Sequence, residues 1–294
     1  MILILALLAS AFVFVDGRTR LSRAITAVWT LATFVTAGLA AALYLLARPS
    51  RNSSWGLGEV AALPLFFVLA VAPSAMILET FALRVGIFSS LGVIVALTVL
   101  QNAVFVGASL YVVLVKYRLP PDRIGLVSPA APRMLALAAI ASATALAGNF
   151  VGQNLTVFGA GLVVGQKAAA DLVVRQEIRL PVFHMLQQFR HPVDIATLAV
   201  LVGLVVPVGE EIFFRGLTYG ALRRMMGRPL AIVVSALFFA VAHLEPVEFL
   251  PILILGMILA ALYEYNKSLI PCMITHAVNN LAALALFYLA PPVS

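Results

Sequence analysis

Uncharged apolar segments recur along the whole chain, separated by short polar intervals. They cover residues 24–47, 60–78, 85–115, 134–166, 195–209, 229–244, 249–263 and 268–290. Most are near or above the ~20 residues that a membrane-spanning helix needs. Residues 1–15 are also apolar, but no basic stretch precedes them; Arg18, Arg20 and Arg23 follow instead. That order argues against a cleaved signal peptide and predicts a short first membrane helix. The pattern predicts an all-α polytopic transmembrane helical bundle of about eight spans at the usual window length.

Proline and glycine modulate this picture. Pro64 and Pro73 predict kinks in the 60–78 segment. Glu79 and Arg84 mark a membrane edge after it, and Gln101 and Asn102 read as interhelical hydrogen-bonding groups. Residues 116–133 read as a loop, with Pro120, Pro121, Pro129 and Pro132 among Lys116, Arg118, Arg123 and Arg133. The 134–166 segment is long for one span, so Gly148-Asn149 and Gly152-Gln153-Asn154 are expected to break it. Residues 167–194 form the longest polar interval. Val182, Met185, Leu186 and Phe189 have helical spacing there, which predicts an amphipathic helix lying at the interface. Pro229 opens the next apolar segment at a helix-start position. We divide the chain at residues 1–194, the N-terminal membrane helices with this interfacial segment, and 195–294, all within one integrated membrane domain.

Composition agrees. The 294 residues are 63% hydrophobic and 11% charged, which leaves no room for a sizeable soluble domain. The net charge of +7 fits loop orientation in a membrane, and no basic run with interleaved aromatics points to nucleic acid. The basic groups Arg223, Arg224 and Arg228, and those of residues 116–133, suggest cytoplasmic loops. The chain is expected in a cell membrane as a multi-pass protein. The single cysteine, Cys272, permits no intrachain disulfide and reads as a packing residue. No internal repeat is visible, which counts against a transporter.

Against this apolar background, three clusters of polar residues stand out in the last third. The first is Glu210-Glu211 followed by Arg215. Glu211 and Arg215 are four apart and share a helical face, so they can pair and leave Glu210 free. The second is Phe239 with His243, and the third is His276 with Asn280, each four apart. Charged and polar groups inside a membrane face inward and mark functional sites. A carboxylate can take a proton from water, an imidazole can assist, and an amide can donate to an oxyanion. That set suffices to hydrolyse an amide without a covalent intermediate. The alternative is a zinc site formed by Glu210, His243 and His276. A Cys272/His276 nucleophile pair sits one turn apart on a single helix, in poor geometry for proton transfer. His184 and His191 fall in the polar interval and read as solvated.

Glu210-Glu211-x-x-x-Arg215, Phe239-x-x-x-His243 and His276-x-x-x-Asn280 resemble the three motifs of the CAAX protease and bacteriocin-processing family, also called the Abi or type II CAAX prenyl endopeptidase family. The resemblance covers residues 195–289. It implies an intramembrane endopeptidase with its site in a cavity within the membrane. It further implies Glu210 as general base, His243 as its helper in activating water, and His276 and Asn280 as the oxyanion hole. Glu211 and Arg215 would be supporting residues, and Phe239 would pack the site wall. The implied partners are a peptide or lipidated-protein substrate and the lipid bilayer. No cofactor is needed by the glutamate-type reading, whereas members labelled metalloproteases keep zinc open. A non-catalytic scaffold or bacteriocin-immunity protein is the rival from another class.

Overall fold

The computed structural model describes residues 2–36, 39–49, 54–66, 90–179 and 186–289. Among these the regular structure is helical, as expected for an all-α membrane bundle. The contacts separate into two compact units, Met1–Arg123 and Ile124–Ser294.

The first unit contains helices Ile2–Arg18, Arg23–Val35, Leu39–Ala47, Leu57–Phe66 and Ser90–Leu110. The apolar run expected as one span over residues 24–47 is two helices. Thr36 marks the division: its hydroxyl donates to the Ala32 carbonyl and accepts from the Ala40 N–H. A side chain that competes for backbone groups favours a helix boundary. Asp16 gathers Arg20, Tyr44 and Arg48 at 2.7–2.9 Å. Lys116, read as the start of a loop, instead ends a π turn, Tyr111–Lys116. Its ammonium is buried on Glu59 at 2.7 Å. Asn102 bonds the Thr98 carbonyl of its own helix. Pro64 lies inside helix Leu57–Phe66, whereas Pro73, Glu79 and Arg84 fall outside the described residues.

The second unit is a bundle that carries all three motifs. Its long helix, Ala131–Val164, runs unbroken through both glycine clusters. At 1.5 Å per residue it is about 51 Å long, well beyond the ~30 Å hydrocarbon core. Gly148 and Gly152 do not break it because they serve packing. They lie one turn apart, where a Cβ would meet Ile254 Cγ2 at 2.6 Å and the Pro251 backbone nitrogen at 2.7 Å. Small residues at this spacing let the neighbouring helix Phe249–Asn266 approach closely.

Helix Gln166–Arg179 follows, burying Ala169 and Val173 one turn apart. Of the expected amphipathic repeat, Val182 and Met185 lie outside the described residues, as does His184. Leu186 and Phe189 are described, and the Tyr288 hydroxyl donates to both of their carbonyls. His191, expected to be merely solvated, caps the next helix by accepting from the Val193 N–H at 3.3 Å.

That next helix, Pro192–Met226, is continuous over 35 residues and includes two π-helical stretches, Leu201–Val205 and Ile212–Tyr219. Gly227, at φ +77°, turns the chain into Arg228–Ala242, with Pro229 at its start as expected. Phe249–Asn266 and Leu269–Leu289 complete the unit. Among the described residues, five helices are long and apolar enough to cross a membrane; Arg228–Ala242 is apolar but shorter.

Candidate active site

The charged motif sits midway along helix Pro192–Met226, where the winding changes. Glu210 and Glu211 end an α-helical stretch, and Arg215 lies in the π-helical stretch that follows. π turns are rare and often occur at functional sites. The expected pair forms: Arg215 Nη1 donates to Glu211 Oε1 at 2.8 Å, with both side chains almost wholly buried. Arg215 Nη2 reaches the Gly256 carbonyl at 3.5 Å. Its guanidinium carbon lies 4.3 Å from the centre of the Phe239 ring, within cation–π range.

The third motif joins the same carboxylate. His276 Nδ1 lies 2.8 Å from Glu211 Oε1, on the oxygen that also accepts from Arg215. A carboxylate only accepts, so the ring's Nδ1–H donates. His276 Nε2 then faces Glu210, with Oε2 at 3.8 Å. Spacing of four residues revealed the Arg215 partner but could not reveal the histidine. Glu211 is therefore not simply neutralised by arginine; it also fixes the tautomer and direction of His276.

Glu210 lacks the arginine that Glu211 holds. It is 9% exposed, and its Oε2, like Glu211 Oε2 and Arg215 Nε, is buried with no hydrogen-bond partner among the described residues. A buried acceptor without a partner costs about 1–3 kcal/mol, so its presence asks for a reason.

Phe239 connects the three motifs. Its ring centre lies 4.6 Å from that of His243 and 5.8 Å from that of His276, both edge-on. It is 1% exposed and also packs edge-on against Phe214. His243 caps the end of helix Arg228–Ala242 and is half-buried. Its Nδ1 donates to the Phe239 carbonyl at 2.8 Å, so Nε2 is the nitrogen left to accept a proton. The next residue, Leu244, has φ +56° and is 83% exposed. A left-handed non-glycine residue stores backbone strain directly after His243. Glu245 follows in the same turn. Burial raises its carboxyl above the ordinary range, and the nearby His243 opposes the rise.

Asn280, expected as an oxyanion donor, has its amide on the Val202 carbonyl at 3.0 Å. The reason lies in the first π stretch. The Val206 N–H bonds to Leu201, five residues back. By the same pattern Val202 would be served by residue 207, which is proline and has no N–H. Asn280 supplies the missing donor. Its neighbour Asn279 accepts from Asn149 of the long helix at 2.6 Å. Neither Asn149 nor Asn279 was expected at the site, because the contact spans 130 residues of sequence. Helix Leu269–Leu289 is thus fixed on two sides by adjacent amides.

Cys272 is fully buried, with Leu259 and Ser268 carbonyls as its contacts. Among the described residues, no three of His, Cys, Asp and Glu converge as metal ligands would. Among the described residues, Glu210, His243 and His276 do not form such a group, while His276, held at Nδ1 by Glu211, keeps Nε2 open.

A family described as type II CAAX prenyl endopeptidase Rce1-like matches residues 192–282. No curated protein and no solved structure matches the chain. The matched stretch begins with the motif helix and ends just beyond Asn280, so it holds every residue of the three motifs. Residues 192–282 thus carry a resemblance to the CAAX protease and bacteriocin-processing family that rests on both the motifs and the family match.

Proposed function

We propose that the protein is an intramembrane endopeptidase in which Glu210 activates water. The family match supports a CAAX-type intramembrane protease in general. The observation that carries the finer reading is the unpartnered Oε2 of Glu210, aimed at a histidine whose other nitrogen is already held.

The chemistry follows from these groups. A water beside Glu210 gives its proton to the carboxylate as its oxygen attacks the peptide carbonyl. His243, with Nε2 available, assists by orienting that water. The carbonyl becomes a tetrahedral oxyanion. Asn280 has a second amide hydrogen for it, and a His276 that enters the cycle as the imidazolium would donate from Nε2 and keep that proton throughout. Collapse expels the amine, which takes the proton held by Glu210. Glu211 and Arg215 touch no reacting atom in this scheme. They hold His276 in place in a setting with little water to screen them. No step is routed through a metal.

The substrate is a peptide or a lipidated protein with a CAAX-type C-terminus. A second reading, a non-catalytic scaffold, draws on Asn279 and Asn280, which both act as interhelical glue. The test is cleavage of quenched fluorescent peptides, with and without a prenylated C-terminal cysteine, by the purified protein in detergent. Glu210→Gln should lower turnover by about 10²- to 10⁴-fold while the melting temperature holds. Retained cleavage would overturn the assignment. Loss of cleavage to a zinc chelator, restored by zinc, would replace this mechanism with a metal-dependent one.

A further inference from the structure

Away from the site, helix Phe249–Asn266 ends on a second buried carboxylate. Glu264 is 5% exposed yet has four donors. Its Oε1 accepts from Arg223 Nε at 3.2 Å and Arg228 Nε at 3.0 Å. Its Oε2 accepts from the Tyr219 hydroxyl at 2.9 Å and Lys267 Nζ at 2.5 Å. One negative charge thus holds three cations together, leaving a local excess of two positive charges. Those cations are not buried with it. The side chains of Arg223, Arg228 and Lys267 are 39%, 64% and 62% exposed. Both arginines bond Glu264 through Nε, so that bond leaves the terminal nitrogens of each guanidinium unused.

The backbone is shaped to keep this arrangement. Lys267 adopts φ +58°, the left-handed cap position where glycine is usual. The strained cap puts its ammonium on Glu264, three residues back.

The place in the fold names the ligand. The cluster lies where helix Pro192–Met226 ends, Arg228–Ala242 begins, Phe249–Asn266 ends and Leu269–Leu289 begins. The ends of spanning helices lie at headgroup depth. Tyr265, 68% exposed with Arg133 over its ring at 5.8 Å, marks the same level, as interfacial tyrosines do. Apolar surface continues from the cations: Met225 and Leu230 are 59% and 53% exposed. A phosphate beside the cations would leave its acyl chains along those residues. A free anion would make no use of them.

We propose that Arg223, Arg228 and Lys267, preassembled on Glu264, bind the phosphate of an anionic phospholipid. Each basic group near a membrane surface contributes about 1 kcal/mol to such binding, or about fivefold. The proposal does not depend on the peptidase reading.

The test measures binding of phosphatidylglycerol to the purified full chain by native mass spectrometry and by the shift in melting temperature. Phosphatidylcholine and inorganic phosphate serve as comparisons. Arg228→Ala with Lys267→Ala should weaken phosphatidylglycerol binding by about thirtyfold. Lys167→Ala with Arg175→Ala, which removes the same charge from an exposed helix elsewhere, should change it little. Arg228→Gln alone, should the double variant fail to fold, is expected to weaken it by about fivefold. Equal loss in both double variants would reduce the effect to general charge and overturn the site. Equal binding of phosphatidylcholine would also overturn it. Inorganic phosphate that gives the same stabilisation as the lipid would make it an anion site, not a lipid site. Displacement by an acidic peptide but not by lipid would assign the surface to a protein partner instead.

Discussion

Arg215 shows how much depends on one side chain. It holds Glu211, reaches the Gly256 carbonyl and stacks on Phe239, all within a buried shell. Removing one partner of a buried pair leaves an uncompensated charge, at a cost of about 3–5 kcal/mol. Arg215→Ala is expected to lower the melting temperature strongly, and an unchanged value would show that Glu211 is satisfied without it. Glu245 makes a different prediction. Burial raises its folded carboxyl above the unfolded value, so the folded state binds the proton more tightly. The stability from that proton is full below the ordinary carboxylate range and is lost as pH rises through the raised value. Glu245→Gln should flatten the melting temperature across that window; an unaltered pH profile would argue against a desolvated carboxyl. The Glu211–Arg215 pair was legible in the sequence because four residues make one helical turn. The His276–Glu211 bond was not, because nothing in spacing links residues 65 apart.

At the level of the helix, Pro207 and Asn280 form one device. The π turn and the missing proline N–H leave the Val202 carbonyl for Asn280. Pro207→Ala would restore a backbone donor and make Asn280 less necessary there. In a double-mutant cycle measured by melting, Pro207→Ala and Asn280→Ala should couple by about 0.5–3 kcal/mol. Strict additivity would show that proline is not the cause of the contact. The long helix teaches a related lesson. Its glycine clusters read as breaks because glycine is weak in helices, yet Gly148 and Gly152 occupy the face against Ile254 and Pro251. Packing against a neighbour outweighed propensity, about 1 kcal/mol per glycine. Conversely, the 24–47 run read as one span because apolar composition carries no sign of where Thr36 will bond.

For the whole molecule, the short connections of the second unit differ in charge. Arg133, Arg223, Arg224, Arg228 and Lys267 lie near one set of helix ends, while the 243–248 turn carries Glu245 and Glu248 and no lysine or arginine. By the positive-inside rule, the short basic connections are expected in the cytoplasm. A cysteine at Arg228 should react with an impermeant thiol reagent only in opened cells, and one at Glu245 in intact cells. Cys272 is buried and should add little background. The reverse pattern would invert the topology. The membrane class, the helical bundle and the three motifs were determined by the sequence, because hydrophobic runs and one-turn spacings are local and need no partner. The join of Glu211 to His276, the isolation of Glu210 Oε2, the use of Asn280 on Val202 and the assembly of three cations on Glu264 were decided by tertiary structure. Each depends on which helix faces which, and that is set by packing between segments far apart in the chain.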